Sequence, residues 1–214
     1  ESNHTSTHLL HQALRQIIGV HVEQRGSMIS DQMFRFDFSH PSKLSNSDLE
    51  SINRFVNEKI KESIPLVENR DEDYHSAIKN GAIGLFTEKY EDKVRTVKFN
   101  ESYELCGGTH VKNTSELKTF SIISECSQAF GLRRITATSN QEIILKEIQK
   151  KKASQEKVAN QKADKELKKE IEHQNKIKAQ ESKNKIIEKI NNVGEINFFA
   201  DEVNLDPKSI KELC

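Results

Sequence analysis

The sequence predicts an α+β fold: a mostly antiparallel sheet with packed helices, followed by a long helical segment. Three observations carry this reading. Through the first 140 residues, helical apolar spacing gives way repeatedly to short runs of aromatic and β-branched residues. From residue 141 the composition turns to Lys, Glu, Gln and Ala, with neither Gly nor Pro before 193. The 214 residues are 34% hydrophobic and 31% charged, enough for one ordinary core and little more.

The stretch NHTSTHLLHQALRQIIG, from residue 3, reads as the first helix. Asn3 is placed to cap it, Leu10, Ala13, Leu14 and Ile17 share a face, and Gly19 suits the exit. GSMISDQMFRFDF reads as two strands around Asp31-Gln32, with Phe34, Phe36 and Phe38 alternating against Arg35 and Asp37. SNSDLESINRFVNEKIKES is a second helix, opened by a Ser45/Asp48 capping box and ended by Pro65. Leu49, Ile52, Val56 and Ile60 line its apolar side. KVRTVKF, KTFSIISE and LRRITATS have strand composition.

Residues 1–140 are therefore read as one domain and 141–192 as a helical linker or coiled-coil segment. Sparse apolar residues recur there at spacings of three, four and seven without a sustained heptad. A solvated spacer and a dimer seam both fit. Residues 193–214, with Phe198 and Phe199, read as the truncated start of a further domain.

Charge excludes little. Lys plus Arg equal Asp plus Glu at 33 each, so bulk charge does not argue for nucleic acid. Three irregularly spaced cysteines are not a disulfide framework, and no apolar run reaches membrane-spanning length. The expected location is cytoplasmic.

The chemistry concentrates in two pairs. His4 and His8 are four apart on one helix face, and Cys106 and His110 bracket a Gly-Gly turn. Three imidazoles and a thiolate form a ligand set that zinc accepts in tetrahedral geometry. Thr5 follows His4 where a zinc protease would carry its general-base glutamate, which argues against proteolysis. Gly107 and Gly108 are expected to supply the backbone angles of a tight ligand turn. His11 is expected in a supporting or surface position, and Cys126 as a small buried thiol.

At these residues the chain resembles the editing domain of alanyl-tRNA synthetases. The resemblance runs from NHTSTHLLHQ through GLFTEKYEDKVRTVKF and ELCGGTHV to GLRRITA, covering residues 3–139 in motif order. Free-standing alanyl editing proteins and the threonyl-tRNA synthetase editing domain share the paired His and Cys/His pattern. The resemblance implies one Zn2+ per chain on His4, His8, Cys106 and His110. It implies hydrolysis of mischarged aminoacyl-tRNA(Ala), chiefly Ser-tRNA(Ala) and secondarily Gly-tRNA(Ala). The physical need is plain: a pocket shaped for alanine rejects such near neighbours by only about 1–3 kcal/mol.

By the same resemblance, Gln24 is the catalytic candidate, orienting water or substrate. Thr7, Gly26, Ser27, Gly107, Gly108 and Arg133 are substrate-binding candidates. Arg134 is read as a surface ion pair. Whether the zinc activates water or positions substrate stays open at this level. The implied partner is the 3′ acceptor end of tRNA(Ala). A homodimer through the helical segment or a missing C-terminal domain is the further expectation. ATP would be needed only in the absent aminoacylation domain. The rival function is a zinc-stabilised acceptor-stem binding module without hydrolysis.

Overall fold

A helix with one apolar face needs a sheet to bury it, and here two sheets share the task. The structure, a computed structural model, describes residues 1–84 and 90–192. Elements follow in the order α1 (Ser2–Ile17), β1 (Gln24–Ile29), β2 (Phe34–Ser39), α2 (Asn46–Lys61), β3 (Val67–Asp73), α3 (Tyr74–Lys79), β4 (Lys93–Phe99), β5 (Ser102–Leu105), β6 (Ser121–Ala129), β7 (Leu132–Thr138) and α4 (Gln141–Asn192). A 3-10 turn, Thr114–Leu117, lies between β5 and β6. The strands form a four-stranded sheet, β1-β2-β7-β6, and a three-stranded sheet, β3-β4-β5. All named pairs are antiparallel.

The alternation of β2 drives the main core. Phe34, Phe36 and Phe38 are fully buried against Leu10 and Leu14 of α1 and Ile52 and Val56 of α2. Each large side chain so buried contributes about 1.5–3 kcal/mol. Ile135 and Ala137 of β7 lie opposite Phe36 and Phe34 and join the same core. A smaller cluster, Ala77, Ala82, Val94 and Leu105, packs under Tyr74 and Tyr103 on the second sheet.

Local signals behave unevenly. The Ser45/Asp48 capping box is present with both reciprocal hydrogen bonds. The helix it opens ends at Lys61, with Ser63 in the left-handed region before Pro65 is reached. Gly19, at φ 140°, follows the last turn of α1. Asn3 does not cap α1. Glu1 holds the N-cap position without a side-chain bond, and the buried Asn3 side chain instead ties three segments together. Its Nδ2 donates to the carbonyls of Ser30 (2.9 Å) and Asp31 (3.3 Å), and its Oδ1 accepts from the backbone N–H and hydroxyl of Ser139.

Two strands lie outside the sequence expectation. β3 reads VENRDED, and a run of charges carries no alternation to find. It is an edge strand, where charged side chains are tolerated because one side faces water. β5 is four residues long.

Residues 1–149 form one compact unit, and Lys150 begins a second. α4 is one continuous helix. Leu145, Ile148, Val158, Leu167, Ile171, Ile177 and Ile187 are exposed on it, spread around its circumference rather than along one stripe. None of the described helices is long and apolar enough to cross a membrane. The 193–214 segment, with Phe198 and Phe199, lies outside the described residues, as does part of GLFTEKY.

Candidate metal centre

α1 presents His4 and His8 one turn apart. β5 ends at Leu105, so Cys106 is the first residue beyond the strand. α1 meets β5 along its side: the Ser102 hydroxyl donates to the His8 carbonyl, and His11 meets Glu104. That contact brings two ligand pairs, about a hundred residues apart in sequence, to one point. One ligand atom from each of His4, His8, Cys106 and His110 falls within 4.8 Å of the others. Cys106 Sγ lies 3.5 Å from His4 Nε2 and 3.4 Å from His110 Nε2. Metal–sulfur and metal–nitrogen bonds of 2.3 and 2.0–2.1 Å at a tetrahedral angle place S and N about 3.5 Å apart. The four residues could hold a metal ion, and the spacing is compatible with zinc.

The far nitrogens of the rings are also engaged. His4 Nδ1 lies 3.2 Å from the Thr109 carbonyl, which can only accept, so this nitrogen carries the proton. His110 Nδ1 lies 3.2 Å from Thr5 Oγ1, which also accepts the N–H of Val111. His8 Nδ1 stands 3.4 Å from Glu104 Oε2, an ion-pair distance without well-aligned hydrogen-bond geometry. In each case Nδ1 faces the protein, and metal-bound imidazoles are usually held in this way through the nitrogen that does not bind the ion. His11, 1% exposed, sits behind His8 with Nδ1 3.0 Å from Glu104 Oε1.

The electrostatics suit deprotonated nitrogen donors. Burial, then the neighbouring His8, lowers His4 to about 4. Burial and the adjacent His8 and His4 lower His110 to about 2. Burial also lowers His8 and raises the Cys106 thiol. A bound cation would offset the cost of the thiolate. Burial would raise Glu104, but His8 and His11 beside it hold its carboxyl below the ordinary value.

The glycines act differently from expectation. Neither Gly107 nor Gly108 has a positive φ. Gly108 is required by close approach, because a Cβ there would stand 2.0 Å from His4 Cε1. A Cβ on Gly107 meets nothing within 4 Å.

Residues 94–136 match the family described as the threonyl and alanyl tRNA synthetase second additional domain. Over its whole length the chain aligns at 45% identity with an alanine–tRNA ligase of Christiangramia forsetii, and over 99% of it at 40% with that of Flavobacterium psychrophilum. The alanine–tRNA ligase of Thermoanaerobacter sp. is 54% identical over 63% of the chain. The chain belongs to the alanyl-tRNA synthetase family. It spans 26%, 25% and 15% of the length of those three relatives.

In this alanyl-tRNA synthetase family member three of the four ligand candidates, His4, His8 and Cys106, line a cleft of about 530 Å³. Thr7, Gln24, Ser27, Gly107 and Gly108 line it as well. A bulge in β1 explains how Gln24 and Ser27 share a face although three residues apart. Gln24 pairs with Phe38 and Ser27 with Phe36, so one extra residue sits on the β1 side and flips the alternation. The Gln24 amide donates to Ser27 Oγ at 3.2 Å.

Three expectations fail. Gly26 is opposite Asp37, on the other face of the sheet, and its Cβ direction meets the Asp37 carboxylate rather than the cleft. Arg133 does not line the cleft; Glu125, whose side chain is 1% exposed, holds it as an ion pair. Cys126 is exposed, not buried, because it lies opposite Arg134 on the open face of the sheet. Arg134 is a bidentate ion pair with Asp37, as expected.

Sequence reasoning missed Glu104, Thr5 and Arg95. Glu104 gave a faint signal, two residues before the ligand cysteine on a strand. Arg95, on β4, gave none: its partners in the ligand loop are carbonyls, which no sequence displays.

Proposed function

We propose that this site binds one Zn2+ and hydrolyses the ester of mischarged aminoacyl-tRNA(Ala), chiefly Ser-tRNA(Ala) and secondarily Gly-tRNA(Ala). The observation that carries the reading is the convergence of His4, His8, Cys106 and His110, three of which share a cleft with Thr7, Gln24 and Ser27. When bound, zinc supplies positive charge beside the aminoacyl group. Four protein ligands would fill a tetrahedral site, which favours a positioning role for the ion.

The chain's own residues supply the selectivity. Thr7 Oγ1 spends its proton on the Asn3 carbonyl at 2.8 Å, so towards the cleft it can only accept. An acceptor there suits a group that donates, such as the seryl hydroxyl. Gln24 is too weakly basic for general-base catalysis and serves to orient water or the ester carbonyl. The remaining length of the cleft, past Lys93 and Tyr90, would take the terminal adenosine. The tRNA(Ala) acceptor end is the implied partner and the cytoplasm the implied location. A second copy joined through α4 would show as a doubled mass in light scattering.

The test is deacylation of Ser-tRNA(Ala) against Ala-tRNA(Ala), with metal content measured on the same sample. Ser-tRNA(Ala) is expected to be cleaved preferentially, with one zinc per chain. Cys106→Ala should abolish both. A site that protein ligands alone would fill also favours a second reading, an acceptor-stem binder that does no chemistry. That reading prevails if both esters survive while the tRNA binds.

A further inference from the structure

The loop that carries Cys106 and His110 has two glycines and no positive φ, and α1 holds only its far end, through the Thr109 carbonyl and the Val111 N–H. Arg95 holds the Cys106–Gly108 end. It lies on β4 beside β5, and its backbone carbonyl accepts the N–H of Cys106 at 3.1 Å. Its guanidinium then reaches across the loop. Nη1 donates to the carbonyl of Cys106 and to that of Gly108, both at 2.6 Å, so Gly107 is bracketed by a single nitrogen. Nη2 donates to Glu68 Oε2 at 3.1 Å, which anchors the group to β3. These are charge-assisted bonds, and the planar fork fixes their directions.

Arg95 also lines the cleft, yet its bonded donors turn to the loop and to β3. A guanidinium beside a site for a divalent ion repels it, which is unfavourable unless the group is needed for its shape. Glu68 offsets the charge, and both donors of Nη1 are spent on the loop.

We infer that Arg95, anchored by Glu68, is a positioning residue for the metal centre: it fixes the Cys106–His110 loop so that Sγ and Nε2 stand 3.4 Å apart before any metal arrives. The inference rests on the proposed zinc site. Zinc affinity is therefore measured first on the unaltered chain by chelator competition. No binding there would remove the metal reading itself, whatever the variants do.

R95M, R95K and E68Q are then compared by zinc competition and by the absorption spectrum of the cobalt-substituted protein. Support from outer-shell contacts is typically worth about 10–100-fold in metal affinity. R95M is expected to lose that much and to shift the thiolate-to-cobalt band. R95K keeps the charge but is shorter and lacks the planar fork that bonds the loop from one nitrogen and Glu68 from another, so it should fall with R95M. E68Q should fall less, and R95M/E68Q should match R95M alone. At saturating zinc, R95M should lower kcat for Ser-tRNA(Ala) deacylation with KM nearly unchanged.

Wild-type zinc affinity and an unaltered cobalt spectrum in R95M, with a raised KM, would instead make Arg95 a substrate contact and overturn the inference. So would full rescue by R95K. If R95M fails to fold, R95K and E68Q decide the matter by the same two readings.

Discussion

Gly108 and Gly107 are neighbours with opposite tolerances. A methyl on Gly108 would overlap the His4 ring, and both partners are held: the ring by the Thr109 carbonyl, the backbone by Arg95. Gly108→Ala is expected to expel His4 and lose zinc, while Gly107→Ala folds and keeps one zinc per chain. Metal analysis of the two purified variants checks this. The histidines also give the metal-free protein an acid limit. An unfolded histidine takes its proton near 6.5, whereas folded His4 takes it near 4. Between those values the unfolded chain binds more protons, so stability rises with pH and is lost as pH falls from about 6.5 to about 4. His110, lowered to about 2, acts in the same direction across the whole window. Urea midpoints of the metal-free protein should fall steadily from pH 7 to pH 4.

At the scale of elements, α1 is held at both ends by different devices. Its exit uses Gly19 at φ 140°, a position open to few other residues. Its start is set by Asn3, whose side chain binds the β1–β2 turn and the end of β7, so the helix bearing His4 is located by tertiary contacts. α2 is the contrasting case, with its start encoded locally. Ser45→Ala removes the side-chain acceptor for the Asp48 N–H and is expected to cost about 1 kcal/mol. Because α2 carries no site residue, thermal denaturation should show the loss while zinc affinity stays unchanged. The bulge in β1 belongs to the same scale. Simple alternation puts Gln24 and Ser27 on opposite faces, and one extra residue puts them together.

For the whole molecule, the site and both apolar clusters lie within residues 1–149. A chain ending at Gln149 is expected to bind zinc as tightly as the longer one and to melt at the same temperature, checked by calorimetry with and without metal. α4 beyond that point exposes its apolar residues around its circumference, so one buried seam would leave several of them in water.

By itself, the sequence determined what neighbours along the chain can settle. Period-two phenylalanines specify β2, period-3.6 apolar residues specify α1 and α2, and the four-residue spacings make His4/His8 and Cys106/His110 into ligand pairs. Charge-rich β3 was silent because an edge strand needs little apolar surface. Only the tertiary structure decided that the two pairs meet, since α1 must first pack beside β5. It alone separated Gly108 from Gly107, sent Arg133 to Glu125 and Gly26 to Asp37, and brought Arg95 to the ligand loop. The physical reason is common to all of these. Sequence spacing states which way a residue points within its own element, but contacts with backbone and with distant elements exist only once those elements have packed.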